Sequence, residues 1–168
     1  MNSQKLLIAI AGLSTVLTFG TATKAADLPK QGTFKGTFSS YGTVKTTKIG
    51  DLTLTMFDET GPQVTDGFGD HVAFHCWGIG EAANGTMANH GYCVGTDPGG
   101  DTFSLKFSGN QTSQDKAMKG TATFGSGTGK YRGISGGVQY VVHALEFRPP
   151  SEGTYVNYVT LEGNYKLP

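Results

Sequence analysis

Residues 71–96 read HVAFHCWGIGEAANGTMANHGYCVGT: two runs of alternating side chains, parted by Asn84-Gly85, each holding one of the two cysteines of the chain. Alternation with period two on both sides of an Asn-Gly turn predicts a β-hairpin. An even cysteine pair in a chain that opens with an export signal most simply forms one disulfide, here Cys76–Cys93. Such a bridge fixes the register, and the register sorts the side chains. One face carries Val72, Phe74, Cys76 and Gly78 opposite Gly91, Cys93 and Gly95. The other carries His71, Ala73, His75, Trp77 and Ile79 opposite His90, Tyr92, Val94 and Thr96. Trp77 then lies across from Tyr92, with His75 and His90 diagonal to the pair.

The same alternation runs outward to both sides. From Gly32 onward it predicts strands over Thr33–Ser40, Val44–Phe57 (bent near Gly50-Asp51), His71–Gly80, Met87–Thr96, Thr102–Ser108, Ala117–Phe124, Tyr131–Phe147 and Thr154–Tyr165. Gly61-Pro62, Asp66-Gly67, Asp97-Pro98-Gly99-Gly100, Gly109-Asn110, Gly125-Ser126-Gly127 and Pro149-Pro150 read as turns or breakers. No stretch of helical period intervenes, so the expected class is all-β, a single domain of eight antiparallel strands. Closing them into a barrel removes both exposed edges. A β-sandwich of the same strands is the alternative.

The first 25 residues are of another kind. Lys5, the apolar run Leu6–Leu17 and Thr23-Lys24-Ala25 have the layout of a secretory signal peptide, removed to leave a domain of residues 26–168. The run is too short to span a bilayer, and the expected protein is secreted or periplasmic with no membrane span. Beyond Ala25 there remain 11 basic and 13 acidic residues without a basic block, which argues against nucleic acid as a partner. Glycine supplies 24 of these 143 residues, well above the usual ~7%, which disfavours long helices.

Several motifs match on paper and fail in context. Gly133-Ile-Ser135-Gly-Gly137 satisfies G-x-S-x-G, but the segment after it alternates as a strand, where a nucleophile elbow needs a helix. Gly125–Lys130 resembles a phosphate-binding loop, yet Phe124 and Tyr131 occupy the positions that require Gly and Ser or Thr. The acid pairs Asp66/Asp70 and Asp97/Asp101 are read as turn-forming side chains in preference to calcium ligands.

The functional expectation centres on the hairpin. If the Trp77/Tyr92 face points into a barrel, the two rings form the walls of a chamber for an apolar or aromatic small molecule. His75 and His90 then serve as polar handles and as catalytic candidates, because imidazole exchanges protons near neutral pH. The bland alternative is an aromatic pair that only stabilises the sheet. A metal site built from His71, His75, His90 and a free cysteine is the rival chemistry, but ligand spacings such as HxH or CxxC are absent. No metal and no cofactor is expected.

Lys119-Gly-Thr-Ala-Thr-Phe-Gly-Ser-Gly-Thr-Gly-Lys-Tyr-Arg-Gly-Ile-Ser-Gly-Gly137, with its Gly127-Thr-Gly129-Lys-Tyr131 turn, resembles the late hairpin of the allene oxide cyclase-like barrels, the calycin-like group that includes dirigent proteins. Gly91-Tyr-Cys-Val94 and Asp101–Phe107 look like that family's middle strands. The resemblance implies an eight-stranded barrel with an apolar cavity, a cyclase or isomerase of that type, and a homo-oligomer. Its catalytic residues find no counterpart here. A non-catalytic lipocalin-like binding protein or a structural envelope protein are the alternatives. Phe34 stands where a lipocalin carries an early Trp.

Overall fold

The computed structural model describes residues 28–143 and 151–168. The expected signal peptide, residues 1–25, and the end of the seventh expected strand, residues 144–147, lie outside the described residues. Eight strands follow one another: β1 (Gln31–Ile49), β2 (Leu52–Thr65), β3 (Val72–Ala83), β4 (Thr86–Thr96), β5 (Thr102–Thr112), β6 (Met118–Gly127), β7 (Ser135–His143) and β8 (Thr154–Lys166). Each pairs antiparallel with its neighbour in sequence, and β8 pairs with β1, which closes the barrel. Closure leaves no sheet edge to protect. A single 3-10 turn, Gly129–Tyr131, is the only helical element among the described residues, and none of their helices is long and apolar enough to cross a membrane.

The eight strands number as expected, but several boundaries move: Gly109-Asn110 and Gly125-Ser126-Gly127, read as turns, lie inside β5 and β6, and the seventh strand starts at Ser135, after the 3-10 turn that holds Tyr131. β1 runs unbroken through Tyr41-Gly42-Thr43, where two strands were expected, and the chain reverses at Gly50, whose φ of 58° suits glycine. The expected bend at Gly50-Asp51 is therefore the first hairpin. Gly61-Pro62, read as a turn, lies inside β2. There the ladder to β1 lapses between Phe38↔Gln63 and Tyr41↔Thr60, because proline has no N–H to give, while pairing with β3 continues.

One end of the barrel is stoppered by rings. Phe68, from the β2–β3 loop and 1% exposed, stacks on Tyr165 at 4.4 Å and meets Phe34, Phe103, Phe124 and Tyr131 at 5.2–5.7 Å, mostly tilted or edge-on. The loop is held inward by Gln63, whose amide donates to Gly69 O at 3.0 Å, and by Thr65, whose hydroxyl donates to Phe68 O at 2.9 Å. Carboxylates tie the turns around this end. Asp66 accepts from Lys35 N–H, Asp70 from Thr65 N–H, and Asp97 from Gly99 and Asp101 N–H. Turn chemistry thus accounts for both acid pairs. Lys130, from the glycine-rich turn, forms an ion pair with buried Asp97.

Candidate functional site

A sheet closed on itself turns every second residue toward its axis, and here those residues are a mixture of rings, glycines and a few polar groups. The lumen holds a cavity of about 360 Å³, within the usual range for a small-molecule chamber. It extends from the aromatic plug toward the end that carries the β1–β2, β3–β4 and β5–β6 turns, where Met87, Gln111 and Lys116 line it. Phe57, Phe74, Leu105, Phe107 and Val138 form much of the wall. Glycines make room for them: a side chain at Gly78 would strike the Phe57 ring, and one at Gly91 would strike Phe107.

Cys76 and Cys93 form the expected disulfide, and the register it imposes is observed, with Trp77 opposite Tyr92 and Ile79 opposite His90. With both sulfurs bridged, the metal site that needed a free cysteine has lost that ligand. His75, Trp77, His90 and Tyr92 share one face as expected, but that face is the outer one. Trp77 is 41% exposed and Tyr92 48%, and His75 and His90 are exposed as well. The expectation that these four line the lumen is corrected. Outside, His75 pairs with Asp58 at 2.9 Å and leans on Trp77 at 5.2 Å between ring centres. The cystine faces inward instead, beside Val72 and Phe74, because the curved inner wall has room for cystine and glycines but not for two large rings already crowded by Phe57 and Phe107.

The polar centre of the lumen comes from other strands. Glu59 of β2 is only 7% exposed, and its Oε2 accepts from Ser40 Oγ at 2.6 Å and from Asn157 Nδ2 at 2.8 Å. Gly42 of β1 separates Glu59 from Tyr155 of β8: a Cβ there would come within 2.7 Å of one and 2.8 Å of the other. Tyr155 Oη is shut off from solvent and lies against Glu59. Burial first, and then the charge of Glu59, push the Tyr155 hydroxyl far above the ordinary tyrosine range. Farther round the wall Tyr140 donates to Asn89 Oδ1 at 3.2 Å, and burial with the Glu59 charge pushes its hydroxyl up to about 12. Glu59, Asn157, Tyr155, Asn89 and Tyr140 all line the cavity.

Sequence reasoning missed this cluster, although one signal was available. In β2 the inward series Thr55, Phe57, Glu59, Gly61, Gln63 places a lone acid on an otherwise uncharged face. Such an acid needs partners, and one comes from the neighbouring β1 and the other from β8, distant in sequence.

No known family model matches the chain, and no curated protein matches it. Solved structures do. A pterocarpan synthase dirigent protein superposes with a TM-score of 0.51 at 12% identity, covering 89% of this chain and 99% of that one. The chain has the dirigent-type barrel fold. A second pterocarpan synthase dirigent protein is 15% identical over 80% of this chain and 95% of its own, with a TM-score of 0.47. At such identity the dirigent likeness extends to the path of the backbone and carries over no residue's role.

Proposed function

We propose that this dirigent-type barrel is an exported protein that takes an apolar or aromatic small molecule into its lumen. The observation that carries the reading is the lumenal cavity of about 360 Å³, open at one end, walled by rings and interrupted by one polar cluster, an arrangement typical of small-molecule sites. A barrel serving only as a structural part would gain stability by filling that space. The disulfide accords with an oxidising compartment and so supports export. The likeness to a dirigent protein that is a pterocarpan synthase supports a small organic ligand at the level of fold only.

A cyclase or isomerase reading draws on Glu59, a buried acid in a shaped cavity, in place of the histidines. Binding is the part tested first. 1-Aminoanthracene, whose emission rises in apolar surroundings, is titrated into wild type, Ala122→Phe and Trp77→Ala. Ala122 is buried and lines the cavity. Ala122→Phe is expected to abolish the emission gain while circular dichroism stays unchanged, and Trp77→Ala to bind as wild type. The opposite pattern would move the site to the outer face.

A further inference from the structure

The outer face of the β3–β4 hairpin carries two aromatic rings that the barrel core does not use. Trp77 and Tyr92 are directly opposed, and both are exposed. A pair that only held the sheet together would pack its rings on one another. Here Trp77 meets one ring, that of His75, and Tyr92 meets none among the described residues, so both keep ring surface free for a ligand. The spacing of the two is fixed, because the Cys76–Cys93 bridge sits one residue away on the opposite face, and β3 and β4 are each paired on both sides. The same register surrounds the rings with polar groups. Across the sheet, Asp58 of β2 stands beside Trp77, and Lys106 of β5 beside Tyr92. His90 lies diagonal to Trp77, and His75 two residues before it on the same strand. His75 Nε2 donates to Asp58 Oδ1 at 2.9 Å, which steadies the imidazole against the indole. All of these side chains are exposed.

We propose that this outer face is a binding site for a neutral β-linked oligosaccharide, with Trp77 and Tyr92 as its platform. A pyranose with equatorial substituents shows C–H groups on its flat faces and hydroxyls around its edge. The C–H groups, slightly positive, rest on the negative faces of the indole and phenol rings. The hydroxyls find partners on every side: the Asp58 carboxylate accepts, the Lys106 ammonium donates, and the imidazole of His90 can do either. Charge decides among other occupants. One acid and one lysine stand at opposite ends of the ring pair, so the face offers no concentration of positive charge to an acidic glycan, a phosphate backbone or an anionic lipid surface. The site is separate from the lumen and neither requires nor opposes a ligand there.

Cellohexaose, chitohexaose and laminarihexaose are titrated into the mature chain, with binding read by isothermal titration and by acrylamide quenching of its single tryptophan. At least one of the three is expected to bind and to shield Trp77 from acrylamide, which an apolar ligand in the lumen does not do. Trp77→Ala and Tyr92→Ala should each weaken that binding about tenfold at unchanged circular dichroism. Tyr158→Ala, which removes an exposed ring from β8, should leave it as in wild type. The acidic hexagalacturonate should bind more weakly than the neutral sugar. No binding of any of the three neutral sugars, binding that Trp77→Ala leaves intact, or a preference for hexagalacturonate would overturn the site. Self-association of the sugar-free chain that Trp77→Ala abolishes, seen by sedimentation, would overturn it too and give the face to a second copy.

Discussion

Phe68 reaches the barrel axis from a loop, and five aromatic rings close on it. Truncation to alanine opens a void among rigid rings that are fixed to different strands and relax poorly. Phe68→Ala should therefore cost about 3–5 kcal/mol, read as a lower urea midpoint at unchanged slope, with Phe68→Leu losing less. Charge at the same end gives a pH signature. Burial pushes the Asp97 carboxyl up, but the Lys130 ion pair and the N–H groups of Asp101 and Gly99 outweigh it and hold it below the ordinary value of 3.8. A lowered folded value means stability present above the unfolded value and lost as pH falls through the folded one. Lys130→Ala should thus weaken the acid-side loss of stability below about pH 4, seen in thermal melts from pH 2 to 6. Tyrosines give the reverse sign. Burial raises the Tyr131, Tyr140 and Tyr155 hydroxyls, so their contribution is complete below about pH 10 and is lost as pH rises further.

At the scale of the element, the β3–β4 hairpin is pinned by a disulfide between directly opposed residues 17 apart in sequence. Cys76→Ser with Cys93→Ser should lower stability by about 3 kcal/mol through the freed chain entropy of the unfolded state. The register should survive, because the Asn84-Gly85 turn, with both residues at positive φ, and the inward glycines specify it independently. Retained far-ultraviolet dichroism beside a lower urea midpoint would check this. Glycine on this hairpin acts by occupying no space. Gly91→Val should cost about 1–3 kcal/mol in the same measurement, since its side chain would strike the Phe107 ring and the Trp77 carbonyl. Gly42 plays the matching part in β1, keeping open the gap that Glu59 and Tyr155 occupy from either side.

At the scale of the whole molecule, closure separates an inner chamber from an outer skin, and the single tryptophan reports on the skin. Acrylamide should quench Trp77 emission efficiently, and to the same degree with the lumen empty or filled by an apolar ligand; protection on binding would contradict an inner site. The alternation in residues 71–96, the Asn-Gly turn and the cysteine pair were enough to determine strands, hairpin register and which side chains share a face, because those depend on neighbours along the chain and on one covalent link. The breaks in β1 and β2 were misread because Gly42 and Pro62 look like punctuation locally, and only pairing with β2, β3 and β8 keeps the strands extended across them. Parity places residues on the same side without saying which side is inward. That choice was made by volume: the closed wall accepts cystine and glycine beside Phe57 and Phe107 and turns Trp77 and Tyr92 outward. Glu59 could be seen as a lone inward acid with Ser40 across the first hairpin, but Asn157 and Tyr155 join it only because β8 returns to pair with β1, a contact that no local pattern encodes.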